Sequence, residues 1–252
     1  MSTFDPLDND YAQHLMVLAQ ALADGRLVNL NDQLAVGCDA RRIEMFIEGN
    51  RQKRLDKLHR QMEFVSSALP KLAKWEAAYV DQCPLAAYDV AGTDAWRFLK
   101  WLMRRIQLSP VQRDYVRCQG ARVRVEMLVR RSRLAYLRFN EISSISPSLI
   151  GLLDRQSDIR IYLNPIRVRA RLETRALLEE EDAVPASLSF FPVDGTIRTV
   201  SLNRAARRLM AQLATAKSWC WSATGQLLPD VDLPQIEQQL LTLSKAGLVA
   251  FG

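Results

Sequence analysis

Histidine and cysteine, the usual ligands of transition metals, are scarce in this sequence. Two histidines, His14 and His59, lie on separate predicted helices. The four cysteines are far apart, at Cys38, Cys83, Cys118 and Cys220. Metal sites need several such ligands, and zinc knuckles or redox pairs need closely spaced cysteines. We therefore expect no metal or cofactor in this chain, and cysteines that behave as small buried hydrophobic residues.

Other signatures of catalysis and of membrane insertion are missing as well. The ten glycines are too scattered for a phosphate-binding loop, and no nucleophile elbow is present. No apolar run approaches the length of a membrane span. The N-terminal stretch MSTFDPLDND is acidic and lacks the apolar core of a signal peptide. These absences predict a cytoplasmic protein without catalytic residues of its own.

Arginine, by contrast, is abundant, and 34 basic residues against 28 acidic ones give a net charge of +6. Such a balance implies an anionic partner, which can be nucleic acid, a membrane surface or an acidic peptide. Between positions 113 and 138 there are eight arginines and two acidic residues. Four arginines recur every seven residues and would line one face of a helix: Arg117, Arg124, Arg131 and Arg138.

A second set, Arg167, Arg169 and Arg171, would share one face of a strand. Each set is either a solvated face or a docking surface for a partner rich in carboxylates. Contact with nucleic acid is a further alternative for the helical set.

Apolar spacing predicts helices through about two thirds of the chain. The apolar repeats lie at 11–22, 55–69, 72–79 and 96–106, the last through Trp96, Leu99, Met103 and Ile106. Ser109, Pro110 and Gln112 then form a capping box for a helix whose buried stripe would run from Val116 through Val123, Met127, Leu134 and Leu137. Apolar and polar residues partly alternate in residues 121–128, so a strand there is an alternative. Ser146-Pro147 would open a last short helix.

After about residue 157 the sequence becomes typical of strands. Residues 159–172 are rich in β-branched side chains, and the acidic run 179–182 is predicted as a loop. Asp194-Gly195 between two apolar runs predicts a hairpin. Asn203 and Asp232 would cap two helices, Gly247 would end the second, and a short strand would close the chain.

This order of elements predicts an α+β protein with two domains. Residues 1–156 would form a helical partner-docking domain. Residues 157–252 would form a winged-helix domain, with a three-stranded antiparallel sheet plus helices.

A winged helix can place its second helix in a DNA groove, or it can bind an extended peptide at the edge of its hairpin. Residues 233–246 carry one lysine and one glutamate, which suits phosphate contact poorly. We therefore expect a peptide strand at the hairpin edge, with side chains against the helix, unless the apolar helix residues are simply core. The predicted peptide-binding residues are Thr196, Ile197, Arg198, Thr199, Val200, Ser201, Ile236, Leu240 and Leu243. Proline at Val200 would then remove a donor from the edge.

Residues 39–72, DARRIEMFIEGNRQKRLDKLHRQMEFVSSALPKL, resemble the opening of the partner proteins of multinuclear non-haem iron oxidative enzymes. The matching positions are Arg42, Phe46, Asn50, Leu69 and Pro70. TDAWRFLKWL resembles the family's next segment, and residues 187–251 resemble its precursor-recognition module. The similarity covers about 39–106 and 157–251, whereas the stretch VRVEMLVRRSRLAY between them keeps only Glu126.

The resemblance implies a non-catalytic subunit that forms a heterodimer with an iron enzyme. Such subunits bind the leader of a ribosomally made precursor peptide as an added strand, while the enzyme holds the iron and oxidises a cysteine of the peptide. The chain is most similar to the partner in the 3-thiaglutamate pathway, with partners in methanobactin and metallophore pathways as close alternatives. A DNA-binding transcription regulator and an independent enzyme are the competing interpretations.

Overall fold

The computed structural model describes residues 40–83, 93–150, 158–178 and 187–252. The chain divides into two compact units, one ending at Gln107 and one beginning at Leu108. The mixed helix and sheet class is as expected from the sequence. The division lies well before the predicted boundary at 156/157, because the helices that follow Leu108 pack against the strands. The helix predicted at 11–22 and the loop predicted at 179–182 lie outside the described residues.

Four helices make up the described part of unit 1. They are α1 (Ala40–Arg60), α2 (Glu63–Ser66), α3 (Leu72–Gln82) and α4 (Thr93–Arg105). The predicted stripe at 55–69 is buried at Leu58, Met62, Val65 and Leu69, although turns at 61–62 separate α1 from α2.

The buried face of α4 agrees with the prediction only in part, since Leu99 is buried as predicted. Ala95, Phe98 and Leu102 are buried, whereas Trp96 and Met103 are only half-buried. The Phe98 ring lies 5.3 Å from the Tyr79 ring of α3, and this aromatic packing sets the orientation of α4.

Two long helices open unit 2, α5 (Pro110–Arg131) and α6 (Arg133–Ile150). The predicted capping box of α5 is confirmed, since Ser109 Oγ accepts from Gln112 N at 3.2 Å and Gln112 Oε1 accepts from Ser109 N at 3.0 Å. Residues 121–128 are helical, so the strand alternative is wrong.

Two further expectations for these helices are also wrong. Pro147 lies inside α6 and opens no new helix. The helix breaks at Ser132, and Leu134 and Leu137 on α6 are 74% and 43% exposed instead of buried.

Six strands, two α-helices and one 3-10 helix complete the described part of unit 2. In chain order they are β1 (Arg160–Leu163), β2 (Val168–Arg171), β3 (Ser187–Val193), β4 (Thr196–Ser201), α7 (Arg204–Leu213), β5 (Trp219–Cys220), the 3-10 helix (Trp221–Gln226), α8 (Leu233–Ala246) and β6 (Val249–Phe251). The strands form two antiparallel sheets with the orders β5-β1-β6 and β2-β3-β4.

Most of the turn and helix-capping residues predicted for this region are confirmed. Asp194 and Gly195, at φ 48° and 76°, form the two-residue turn between β3 and β4. Asn203 caps α7 through its side chain, which accepts from Ala206 N at 2.8 Å. Gly247 ends α8 in the left-handed conformation at φ 88°. Asp232 occupies the N-cap position of α8, but its side chain makes no capping hydrogen bond.

Packing around the two sheets fixes the position of α8. Helix α5 packs against β2 and β3, α6 packs against β6, and α8 packs against β6 and the 3-10 helix. Phe191 of β3, Leu240 of α8 and Phe251 of β6 are fully buried in one apolar cluster. No helix in the described ranges is long and apolar enough to cross a membrane.

A buried asparagine joins β1, β3 and the end of α8. Asn164 Nδ2 donates to Pro192 O at 3.2 Å and to Gly247 O at 3.1 Å. Asn164 Oδ1 accepts from Ile166 N at 3.0 Å. The side chain has no exposed surface, and all its hydrogen-bonding groups have partners, so it fixes the relative positions of these elements.

Candidate functional site

Strand β4 forms one edge of its sheet. Within the described residues it pairs with β3 and with no other strand. An open edge exposes backbone N–H and C=O groups that can pair with an added strand. The predicted peptide-binding residues Thr196 to Ser201 therefore do lie on an edge strand.

The register of the hairpin shows which backbone groups face outward. A two-residue turn is closed by a hydrogen bond between its flanking residues, here Val193 and Thr196, and hydrogen-bonded pairs then alternate along the ladder. The N–H groups of Arg198 and Val200 therefore point towards β3. Those of Ile197, Thr199 and Ser201 point to the open edge. Proline at Val200 would consequently disrupt the hairpin, and Thr199 is the position that tests the edge.

A cavity of about 550 Å³ opens at the end of β4 and continues along α8. Ser201 belongs to both features, since it ends the strand and lines the cavity. The other lining residues are Leu202, Asn203, Ala206, Gln235, Gln238, Gln239, Thr242 and Leu243. Its size is typical of ligand-binding pockets.

The wall contributed by α8 is mostly polar, which corrects the prediction of an apolar floor. Ile236 and Leu240 are buried in the core and do not line the cavity, and of the three predicted leucine or isoleucine residues only Leu243 does. The wall is a stripe at helical spacing that sequence reasoning missed: Gln235, Gln238, Gln239 and Thr242. The i, i+3, i+4, i+7 spacing of these uncharged residues was the available signal.

Two side-chain oxygen atoms of residues that line this cavity are buried and have no hydrogen-bond partner. They are Ser201 Oγ and Gln239 Oε1. The hydroxyl of Thr242 is already engaged, because it donates to Gln238 O at 2.9 Å. Buried polar atoms in folded proteins nearly always have partners, so unpaired ones in cavity-lining side chains become available to a ligand when those side chains turn towards the cavity.

The four arginines at seven-residue spacing do not form one continuous helix face. Arg117, Arg124 and Arg131 lie on α5, whereas Arg138 lies on α6 beyond the break. Arg117 contacts Asp114 and Glu173, so it stabilises unit 2 internally. Arg124, Arg131 and Arg138 are exposed and form no ion pair with a described residue. We call Arg131, Arg138, Leu134 and Leu137 the helix-junction surface.

The three arginines predicted to share one face of a strand also differ in their surroundings. Arg169 and Arg171 occupy the exposed positions of β2. Arg167 precedes the strand and donates through Nη1 to Asn164 O at 2.7 Å. Burial lowers the pKa of Arg167, and burial together with Arg207 and Arg171 lowers the pKa of Arg169. The charge that this edge of the sheet presents is therefore carried by Arg169 and Arg171.

The described residues contain no cluster of three or more histidine, cysteine or acidic side chains that could hold a metal. Burial raises the pKa of the Cys118 thiol to about 12, so this cysteine is protonated and unreactive. In unit 1, Glu76 is buried with Oε2 at 2.9 Å from His59 Nδ1, and no nucleophile completes this pair in the described contacts.

Comparisons with known proteins do not assign the chain, because no family model, curated protein or solved structure is significantly similar to it.

Proposed function

We propose that this chain is a non-catalytic subunit that binds an extended precursor peptide and presents it to a separate iron-dependent oxidative enzyme. In this proposal β2, β3 and β4 with α7, the 3-10 helix and α8 act as a winged-helix recognition element. The peptide is the leader of a ribosomally made precursor, and the enzyme holds the iron and oxidises a cysteine of that precursor. The complex is cytoplasmic, and neither nucleic acid nor a membrane takes part.

The observation that carries the proposal is an open edge strand continuous with a cavity. The outward N–H groups of Ile197 and Thr199 can pair with a peptide backbone, while side chains of the same peptide enter the cavity beside α8. Both features belong to unit 2 and share Ser201. The sequence resemblance adds the class of peptide and the iron enzyme, which the fold alone does not specify.

The helix-junction surface is the proposed docking site for the enzyme. It combines two exposed leucines with two exposed arginines on adjacent helices. Apolar side chains surrounded by positive charge suit an acidic protein surface, and the charge accelerates association. The two leucines favour a protein over nucleic acid at this site.

DNA binding is the alternative that the same module raises. A recognition helix needs basic side chains to contact phosphates, and the only charged residues of α8 are Glu237 and Lys245. The cavity wall on α8 is uncharged as well. These features favour the peptide.

Peptide binding is tested with a candidate precursor, a short cysteine-containing peptide, labelled and titrated by fluorescence anisotropy. Thr199→Pro should weaken binding by about tenfold to a hundredfold, because it removes an outward N–H and places a ring where the added strand would lie. Thr199→Val is the matched control, since it keeps the N–H and should bind like the wild type. Equal affinity of all three proteins would reject strand addition at β4.

Enzyme docking is tested by co-purification with a candidate iron enzyme of the proposed class. The double variant Arg131→Glu/Arg138→Glu should lower affinity for the enzyme about tenfold at low salt and leave peptide affinity unchanged. Arg169→Glu/Arg171→Glu carries the same change in charge and serves as the control. If the control variant loses the enzyme and the first variant does not, the docking surface lies at β2. Specific DNA binding without either protein partner would support the regulator instead.

A further inference from the structure

We infer that the cavity between β4 and α8 selects a peptide with an uncharged, hydrogen-bonding side chain, of the asparagine, glutamine, serine or threonine class. This inference rests on the proposed peptide binding and adds its specificity. The observations behind it are the uncharged lining of the cavity and the two unpaired oxygens of its lining residues. Neither observation was needed to propose the edge strand or the arginine surfaces as binding sites.

The unpaired atoms define the hydrogen bonds that an occupant must supply. Gln239 Oε1 accepts hydrogen bonds, and Ser201 Oγ can both accept and donate. Neither atom is exposed to water in the free protein, and an apolar side chain in the cavity would leave both without partners. A side-chain amide or hydroxyl can donate to one or both when the Ser201 and Gln239 side chains turn towards it, so its binding gains the bonds that the free protein lacks.

The absence of charge in the lining excludes the ionised side chains. All nine lining residues are uncharged. A carboxylate, ammonium or guanidinium group entering the cavity would lose hydration without meeting an opposite charge. Neutral polar side chains lose less on entry and are the class that the cavity matches.

The position of the cavity relates this side chain to the added strand. Ser201 has an outward N–H on the edge and is also a lining residue of the cavity, so a peptide paired along β4 reaches the cavity at the end of the strand. The side chain that enters is therefore one at a fixed position of the peptide, next to the residues that pair with Thr199 and Ser201.

The test is a selection from a phage-displayed library of random peptides on the immobilised full-length protein. Clones that also bind Thr199→Pro are removed, so that only ligands of the β4 edge remain. The expected result is enrichment of asparagine, glutamine, serine or threonine at one position. On Ser201→Ala/Gln239→Leu the preference at that position should change to leucine, valine or isoleucine. Gln212→Leu, an exposed glutamine on α7 outside the cavity, is the control and should leave the wild-type preference unchanged.

Selected peptides are then synthesised with the polar residue and with an apolar replacement. The polar peptide should bind the wild type about tenfold to a hundredfold more tightly, and the double variant should reverse or remove this preference. An apolar preference on the wild type would overturn the inference and leave peptide binding at β4 in place. If no clone depends on Thr199, both the inference and the proposed strand addition fail.

Discussion

Two of the regions of unit 2 that contain buried polar atoms differ in whether those atoms have hydrogen-bond partners. At the junction of β1, β3 and α8, Asn164 is fully buried and both its side-chain atoms have partners. In the residues that line the cavity beside β4, Ser201 Oγ and Gln239 Oε1 are buried without partners. A satisfied polar group stabilises one arrangement of the chain, whereas an unsatisfied one costs stability unless a ligand completes it. The first region therefore serves the fold, and the second is available for binding.

The largest expected effect comes from a substitution that removes the hydrogen bonds of the Asn164 side chain. Asn164→Leu leaves the carbonyl groups of Pro192 and Gly247 and the N–H of Ile166 buried without partners. We expect the free energy of unfolding to fall by about 3 kcal/mol or more. Guanidinium unfolding measures it, with the exposed Asn50→Leu of α1 as a control that should change little. A loss no larger than that of the control would show that Asn164 is dispensable.

The next effect concerns Gly247, whose carbonyl Asn164 binds. A Cβ at this position would lie 2.6 Å from Val193 Cγ2, and the backbone has φ 88°. Gly247→Ala should therefore destabilise the protein by about 2 kcal/mol, from backbone strain and steric conflict together. Gly195→Ala has the same kind of strain, at φ 76°, with open space around the Cβ, and should cost about half as much. Equal losses would mean that the contact with Val193 relaxes without cost.

Glu76 in unit 1 is an intermediate case, with one oxygen bound to His59 and the other unpaired. Burial raises its pKa and His59 partly opposes this. A raised carboxyl pKa favours the fold while the group is protonated, and this contribution is lost as pH rises above the ordinary value of 4.5 towards the raised value. The stability of Glu76→Gln relative to the wild type should therefore increase with pH over that range. Unfolding curves with the same difference at every pH would contradict this.

The smallest effect on the free protein is expected in the cavity. Ser201→Ala removes an unpaired oxygen, so the free energy of unfolding should stay within about 0.5 kcal/mol or rise. Ser146→Ala is the matched comparison, because that buried hydroxyl accepts from Phe251 N at 2.9 Å. It should cost about 1 kcal/mol or more. If Ser201→Ala is as costly as Ser146→Ala, the Ser201 hydroxyl has a structural role.

Local signals in the sequence predicted much of the fold. The Asp194-Gly195 turn, the capping box at Ser109 and the Gly247 helix end each depend on a few adjacent residues, and each is present. Burial on α4 and α6 was predicted less well. Apolar spacing indicates a helix, but packing against other elements decides which apolar residues it buries, as Leu134 and Leu137 show.

The candidate site was also predicted only in part, because local signals indicate its strand but not which side chains pack around it. The edge strand followed from the hairpin, but the predicted edge donor at Val200 was wrong. The register of the two-residue turn directs the N–H of Val200 towards β3 and that of Thr199 to the edge. The polar wall of α8 could not be separated from ordinary surface, because glutamines at helical spacing also suit a solvated face. Likewise, the sequence did not show that Arg117 and Arg167 make contacts within unit 2. Arg117 pairs with Asp114 and with the distant Glu173, and Arg167 donates to the backbone oxygen of Asn164, and no sequence pattern indicates these contacts.

The most direct test of strand addition is residue-resolved amide hydrogen exchange of the protein with and without the bound precursor peptide. The N–H groups of Ile197, Thr199 and Ser201 face the open edge, whereas those of Arg198 and Val200 already face β3. Peptide binding should therefore protect alternate amides of β4, with the gain at Ile197, Thr199 and Ser201. Uniform protection along β4, or a gain confined to other elements, would contradict peptide binding by strand addition.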